Sequence, residues 1–146
     1  GSLQIFIEHN PEYHYFHFKP EDRQRLRPVA LFDLLVNNAD RKGGHILFDA
    51  QNHLWLIDHG VCFHVEPKLR TVVWDFAGEP IPEDLQQALA AFGQRLAGEA
   101  ALQNKLNKLL QPNEIAALAE RCRCLLTRGY FPHPTGSRHP YPYPPV

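Results

Sequence analysis

The sequence predicts an α+β domain that is mostly helical and carries a short β-hairpin near its centre. Residues 45–49 and 53–57 are apolar segments around an Asp-Ala-Gln-Asn turn, which is typical of a hairpin. Apolar side chains recur at helical spacing before this hairpin and again beyond Pro82. The chain has 146 residues, which is enough for one domain with a single core.

The N-terminal third is predicted to hold one strand and one helix. Residues 3–7 alternate and are rich in β-formers, which favours a strand. Pro20 is followed by two acidic residues and then by apolar positions at helical spacing up to Asn37. Pro28 is expected to bend this helix or to split it in two. An Asn-, Asp- and Gly-rich loop is predicted at residues 38–44.

The C-terminal half is predicted to be helical after an irregular stretch at residues 61–82. Helices are expected at about 82–96, 99–110 and 112–128, with a glycine ending the last one. Residues 132–146 are rich in Pro and Tyr and are expected to be extended or disordered, or to dock on a neighbour as a polyproline-like strip. Apolar stripes on the first and third helices predict core positions, namely Leu85, Leu89, Phe92, Leu96, Ile115, Leu118, Cys122 and Leu125.

The overall charge gives no sign of a nucleic-acid partner. The formal net charge is -1, from 15 basic and 16 acidic residues. No apolar run reaches the length of a transmembrane segment and no signal peptide is evident, so a cytoplasmic location is expected. Cys62, Cys122 and Cys124 are best explained as free thiols in a reducing compartment, with the last two on different helix faces.

Two polar clusters flank the predicted hairpin and mark a candidate site. Asp40 and His45 lie just before its first strand, and Asp58 lies at the exit of its second. Because the two strands are antiparallel, these three residues are expected to meet at one end of the hairpin. Such a set suits a metal ion and a phosphate.

These clusters resemble the phosphatidylinositol 3-/4-kinase-like branch of the protein-kinase fold. Asn-Ala-Asp-Arg-Lys-Gly-Gly-His at residues 38–45 is similar to its catalytic loop, and Leu-Ile-Asp-His-Gly at 56–60 is similar to its metal-binding Asp-Phe-Gly segment. The continuation at 61–64 resembles the type II phosphatidylinositol 4-kinases. The whole stretch 31–79 is similar to an uncharacterised bacterial family related to phosphatidylinositol 3-/4-kinases.

The resemblance implies a protein-kinase-like C-lobe whose N-lobe is largely missing. Residues 1–18 would be a remnant of the last N-lobe strand and the hinge, 19–131 the C-lobe, and 132–146 the Pro/Tyr-rich tail. A kinase N-lobe also needs a glycine-rich loop and a phosphate-binding Lys. Neither is present before the presumed C-lobe.

The resemblance also implies a role for each site residue. ATP would bind together with Mg²⁺, or with Mn²⁺ as the alternative, and an unidentified hydroxyl compound would accept the phosphate. Asp40 would be the catalytic base and Asp58 the main metal ligand. The other implied roles are a loop-steadying or phosphate contact for Arg41, charge neutralisation for Lys42, metal binding for His45, and nucleotide contacts for Gly43, Gly44, Ile57 and Glu8.

His45 departs from the family pattern, which has Asn at this position. Imidazole is a poorer ligand for Mg²⁺ than for Mn²⁺, Zn²⁺ or Fe²⁺, so either the metal preference has changed or a second metal site is lost. For a histidine in this setting, a turn or packing role is an equally good interpretation.

Two other functions remain open. One is a non-catalytic kinase remnant that acts as a binding or regulatory module, with a protein partner or a second copy of itself. The other is a metal-dependent hydrolase that uses His45, Asp58, His59 and His64.

A further stretch, residues 66–74, has two interpretations. Lys68, Arg70 and Trp74 could form the rim of a substrate groove where a kinase has its activation segment. An ordinary amphipathic surface strip is the favoured interpretation.

Overall fold

The computed structural model describes residues 5–134 and 139–146 and has an α+β fold. In the described part of the chain, α-helices together with two short 3-10 helices, Tyr15–His17 and Gly43–His45, hold 44% of the residues, and the sheet is one antiparallel pair of strands. Five α-helices and two strands are found in the described residues: α1 (Pro20–Gln24), α2 (Arg27–Val36), β1 (Ile46–Phe48), β2 (Leu54–Leu56), α3 (Glu83–Gly98), α4 (Ala100–Leu106) and α5 (Pro112–Arg128). The predicted α+β class is confirmed.

The first predicted helix is split in two, as its proline suggested. Helix α1 ends at Gln24, and α2 begins at Arg27 with Pro28 in its first turn, where the missing N–H costs no hydrogen bond. Asn37 ends α2 in the left-handed conformation, at φ 56°, which is a common way to stop a helix. This ending turns the chain into the loop that carries Asp40.

The hairpin forms where the sequence predicts it. Leu47 pairs with Trp55, and the pairs on either side are Ile46 with Leu56 and Phe48 with Leu54. The turn is held by Asp49, whose carboxylate accepts hydrogen bonds from the backbone N–H groups of Gln51 and His53 and from the indole of Trp55. All three residues of β1 are buried, so the hairpin is anchored in the core through this strand.

The C-terminal helices pack as their apolar stripes predict. Helix α5 lies against both α3 and α2. Leu89 and Leu96 are buried on α3, and the remaining stripe residues on that helix are partly buried. On α5, Cys122 is buried while Cys124 is only partly so, and all three cysteines are free thiols. These helices close one hydrophobic core with α2 and β1.

The prediction of an N-terminal strand is wrong over residues 5–7, the part of it that the structure describes. Residues 5–8 form no strand, and residues 3 and 4 lie outside the described part of the chain. Ile5 and Phe6 are 81% and 84% exposed. A strand needs a partner to satisfy its backbone groups, and the only pairing nearby in residues 5–134 is an isolated bridge from His9 to Asp49.

The C-terminal segment has no helix or strand in residues 132–134 and 139–146. It nevertheless contacts the rest of the chain. The carbonyl of Pro140 accepts hydrogen bonds from the N–H of Thr71 and the indole of Trp74, and the carbonyl of Pro145 accepts one from Gly43. Within the same described ranges, no helix has the length and apolar character that a bilayer span requires.

Candidate active site

The site lies at the open end of the hairpin, where two loops are joined by backbone hydrogen bonds. The N–H of Ile57 donates to the carbonyl of His45 at 3.1 Å, and the N–H of Ala39 donates to the carbonyl of Val61 at 2.9 Å. These bonds hold the loop before β1 beside the loop after β2. Asp40 and Asp58 are therefore carried on neighbouring segments.

Four polar side chains from the two loops meet there. His45 Nε2 lies 3.5 Å from Asp58 Oδ2, and Lys42 Nζ lies 3.4 Å from Asp40 Oδ2. The charges of both aspartates also act on the His45 ring, since each opposes the lowering of its pKa. The structure thus places Asp40, His45 and Asp58 at one end of the hairpin, as the sequence predicts, and adds Lys42.

Asp58 has an unusual backbone and an open side chain. Its φ is 56°, in the left-handed region that favours glycine. Its side chain is 57% exposed. Backbone strain of this kind costs of order 1–3 kcal/mol and tends to occur at functional sites. An exposed carboxylate oxygen on a strained loop is a ligand that a hard cation can reach.

His45 is neutral at pH 7 because burial lowers the pKa of its ring, although Asp58 opposes that shift. Its Nδ1 faces the N–H of Lys42 at 3.4 Å and acts as an acceptor. The proton of the neutral ring is therefore assigned to Nε2, which faces Asp58. This arrangement makes His45 a partner of Asp58, and a metal ion could bind Nε2 only after that proton leaves.

Arg41 is buried against the backbone of the site loops. Its side chain is 0% exposed and forms an ion pair with Asp33, which is also 0% exposed. Its Nε lies 3.1 Å from both carboxylate oxygens of Asp33, and its Nη1 donates to the carbonyl of Ile57 at 2.9 Å. Of the two roles expected for Arg41, these contacts support the steadying of the loop, while a buried guanidinium has no surface to offer a phosphate.

Asp33 is a site residue that the sequence interpretation missed. Besides Arg41, its carboxylate accepts hydrogen bonds from Asn38 Nδ2 at 3.0 Å and from Thr71 Oγ1 at 3.1 Å. Burial raises the pKa of Asp33, and these three partners oppose the rise. The sequence does hold a sign of this role, because Asp33 lies four residues after Val29 and so falls on the apolar face of α2. A carboxylate on an apolar helix face indicates a buried polar contact.

Asn37 is a second residue with a role that the sequence does not predict, since the sequence pattern marks it only as the end of a helix. Its Nδ2 donates to the carbonyls of His64 and Glu66 at 2.8 and 2.7 Å, and its Oδ1 accepts the N–H of Lys68 at 2.9 Å. Asn37 therefore holds the irregular segment 64–68 against the end of α2. No periodic pattern in the sequence predicts these hydrogen bonds between Asn37 and residues 64–68.

The two glycines of the loop differ in their surroundings. A Cβ on Gly43 would lie 3.1 Å from the ring of Phe16, and the N–H of Gly43 already donates to Pro145 at 2.8 Å. A Cβ on Gly44 would meet nothing within 4 Å in the described part of the chain. Gly43 and Gly44 are both expected to contact nucleotide, but only Gly44 has open space next to its Cα among the described residues.

The two other residues expected to contact nucleotide are not equally placed. Ile57 lies in the site, directly before Asp58. Glu8 is exposed and precedes His9, which pairs with Asp49 at the turn end of the hairpin. Asp49 is four residues beyond His45 along an extended strand, roughly 13 Å away. The structure does not bring Glu8 to the other site residues, because the N-terminal segment approaches the far end of the hairpin.

A large cavity lies on the other side of Asp40. It has a volume of about 1190 Å³ and is walled by the end of α2, the segment after the hairpin, α5 and the C-terminal segment. Lys68, Arg70 and Trp74 all line it. These three residues therefore border a groove whose lining also includes Asp40.

The hydrolase interpretation loses support from the geometry. In residues 5–134 and 139–146, no three His, Cys, Asp or Glu side chains converge to hold a metal ion. His59 packs its ring edge-on against Phe32 at 5.3 Å. His64 Nδ1 accepts the N–H of Glu66 at 3.0 Å. Both histidines thus have contacts within the fold.

The fold and the site define an α+β protein with an aspartate, lysine and histidine cluster at one end of a hairpin. No protein-family model matches the chain, and no solved structure matches it significantly. The chain is 46% identical over 123 residues to Protein Rv2133c of Mycobacterium tuberculosis, a match that covers 84% of this chain and 43% of that protein. The chain therefore spans less than half the length of this bacterial relative, whose name states no activity.

A second relative matches a shorter stretch of the chain. The chain is 36% identical over 66 residues to phosphatidylinositol 4-kinase gamma 4 of Oryza sativa subsp. japonica, which is 42% of this chain and 12% of the kinase. The comparisons thus give partial similarity to a phosphatidylinositol kinase.

Proposed function

We propose that this chain forms the C-lobe of an atypical kinase related to the phosphatidylinositol 3-/4-kinases, which transfers the γ-phosphate of ATP to a hydroxyl group. The observation that carries the proposal is the convergence of Asp40, Lys42, His45 and Asp58 on two loops at one end of the hairpin. The partial match to a rice phosphatidylinositol 4-kinase supports the same class.

The donor set fits a divalent ion that arrives with a nucleotide. Mg²⁺ is usually held by one or two carboxylates together with phosphates and water, so a closed cage of protein ligands is not required. The exposed carboxylate of Asp58 is suited to that role. The bound ion would neutralise charge on the phosphates, and His45 would orient the Asp58 carboxylate through the proton on Nε2.

Asp40 would act on the acceptor. Asp40 is part of the groove lining, and its carboxylate would take the proton of the acceptor hydroxyl as that oxygen bonds to the γ-phosphorus and the bond to the ADP oxygen breaks. Lys42, 3.4 Å from Asp40, would lie where it can stabilise charge on the transferring group. The buried Asp33–Arg41 pair would hold this loop in position.

The test is calorimetric titration of the native full-length protein with ATP in Mg²⁺ or Mn²⁺. We expect Asp58→Asn to weaken metal-dependent nucleotide binding by at least about 100-fold, since even outer partners of metal ligands cost 10–100-fold. Asp84→Asn, an exposed residue in the first turn of α3, is the matched control and leaves binding unchanged. Asp40→Asn is expected to keep nucleotide binding and lose phosphate transfer. Equal metal-dependent binding by wild type and Asp58→Asn would refute the proposal.

A non-catalytic binding module is the second candidate function. It is favoured by the N–H of Gly43, which is already bonded to the carbonyl of Pro145 and closed off by Phe16. In this case the protein with both Asp40→Ala and Asp58→Ala would fold and keep its partner, as measured by co-purification of a defined complex. Loss of that complex on the double substitution would argue against the module.

A further inference from the structure

The groove beside Asp40 has an excess of positive charge on its walls. Its lining includes Lys68 and Arg70 from the segment after the hairpin, and Arg121 and Arg128 from α5. The acidic groups in the lining are Asp40 and Glu120. The walls therefore favour an anionic occupant.

Glu120 does little to offset this charge. Its carboxylate accepts a hydrogen bond from the Nε of Arg123 on the next turn of the helix at 2.8 Å. The contacts with Arg123 and Cys124 lower the pKa of Glu120 to about 2, so it remains an ionised partner of Arg123. Since Arg123 is not among the lining residues, the charge of Glu120 is balanced from outside the groove.

Arg121 supplies a donor that has no partner. Its Nε donates to the carbonyl of Leu35 at 2.8 Å and its Nη1 to the carbonyl of His64 at 3.2 Å, which fixes the guanidinium in the wall. Its Nη2 is buried and has no hydrogen-bond partner among the described residues. Nη2 of Arg41 is in the same condition, so the unpaired atom does not by itself identify a ligand. What Arg121 contributes to the groove is its positive charge in the wall.

The position of Arg121 relative to the rest of the groove follows from shared contacts. The carbonyl of His64 that Arg121 contacts also accepts a hydrogen bond from Asn37, and Asn37 in turn holds the backbone of Lys68. Arg121 and the backbone of Lys68 thus belong to one hydrogen-bond network, which runs through the His64 carbonyl and the Asn37 side chain. Leu69, Val61 and Trp74 are among the apolar residues of the lining.

We propose that this groove binds a soluble small molecule that carries a phosphate group and a free hydroxyl, with the phosphate on Arg121 and Lys68 and the hydroxyl towards Asp40. The assignment of this molecule as the phosphate acceptor rests on the proposed function. The four cationic side chains in the lining suit a ligand with two negative charges, such as a phosphate monoester. Because several separate segments of the chain form the walls, the groove suits a small soluble molecule. In the transfer, the hydroxyl proton passes to Asp40, the hydroxyl oxygen bonds to the γ-phosphorus of ATP, and ADP leaves.

The experiment is calorimetric titration of the full chain with glycerol 3-phosphate, with inorganic phosphate, and with glycerol as the uncharged counterpart. We expect the two phosphates to bind and glycerol not to bind. Arg121→Gln should weaken phosphate binding by roughly 10-fold or more, the value for a lost hydrogen bond to a charged group. Arg95→Gln, an exposed arginine paired with Glu99 on α3 and outside the groove, is the matched control and should bind as wild type does.

A second variant is needed because Arg121 also donates hydrogen bonds to two backbone carbonyls, so its replacement could weaken binding by disturbing the fold. Lys68→Gln combined with Arg128→Gln removes two lining charges without touching those contacts and should weaken binding similarly. No binding of either phosphate by wild type, or equal binding by all variants, would overturn the proposal. Binding only to phosphatidylcholine vesicles with one fifth phosphatidylserine would likewise overturn a soluble ligand in favour of a lipid headgroup.

The groove and the nucleotide site can fail independently. Asp58→Asn should leave phosphate binding in the groove intact while it weakens metal-dependent ATP binding by at least about 100-fold. Absence of ATP binding with intact, Arg121-dependent phosphate binding would reject the kinase while retaining the anion site. Intact ATP binding without phosphate binding in the groove would reject the anion site alone.

Discussion

Replacement of Asp33 by Asn tests whether a buried ion pair holds the loop that carries Asp40. Asp33 and Arg41 are both 0% exposed, and the guanidinium Nε lies 3.1 Å from each carboxylate oxygen. Asp33→Asn keeps the shape and removes the counter-charge, so Arg41 is left buried and uncompensated. Breaking one partner of a buried pair costs about 3–5 kcal/mol.

This loss is a large share of the stability of a domain, which is about 5–15 kcal/mol. For a domain of this size, each kcal/mol lowers Tm by roughly 3–5 °C, so we expect Tm to fall by roughly 10–25 °C. Urea unfolding followed by circular dichroism gives the free energy directly. Asp84→Asn makes the same chemical change at an exposed position and should cost less than about 1 kcal/mol.

A double-mutant cycle with Arg41→Met completes the test. If the two side chains act as a pair, the double variant loses less than the sum of the two single variants, because neither buried charge is left alone. A loss below about 1 kcal/mol for Asp33→Asn, or strict additivity in the cycle, would refute the view that this pair holds the loop.

Two other outcomes follow from the loop and its neighbours. Gly43→Ala would force a methyl group to within 3.1 Å of Phe16 and should cost about 1–3 kcal/mol in urea unfolding; Gly44→Ala, with open space, is the control, and equal effects would contradict the packing argument. Burial lowers the pKa of His45 from 6.5, so the folded state binds fewer protons than the unfolded chain and stability should fall as pH decreases below about 6.5. His45→Gln should reduce that fall between pH 7 and 5, and an unchanged pH slope would show that His45 does not contribute to it.

The hairpin and the helices could be predicted because their signals are local. The turn residues between two apolar segments identify β1 and β2, and the stripes on α3 and α5 repeat with the period of a helix. Pro28 and Gly129 act on the backbone through their own covalent structure, so their effects on the helix ends also follow from the chain itself. The predicted strand is wrong over residues 5–7, because a strand depends on a partner elsewhere in the fold.

The candidate site also has one part that the sequence predicts and one part that only the tertiary structure shows. Asp40, His45 and Asp58 were found because two antiparallel strands must return to the same end, which brings their flanking loops together. The role of Asp33 depends on side chains up to 38 residues away in the chain. The groove likewise needs α5 and the C-terminal segment to fold back beside Lys68 and Arg70.

The sequence by itself determined the α+β class, the positions of the hairpin and main helices, and the loops that carry the candidate catalytic residues. The tertiary structure alone decided that Arg41 is buried against Asp33, that Pro145 covers Gly43, and that a basic groove opens beside Asp40. The physical reason is that backbone preferences and apolar periodicity depend on residues close together in the chain. Ion pairs, burial and cavities arise only when distant segments are packed together.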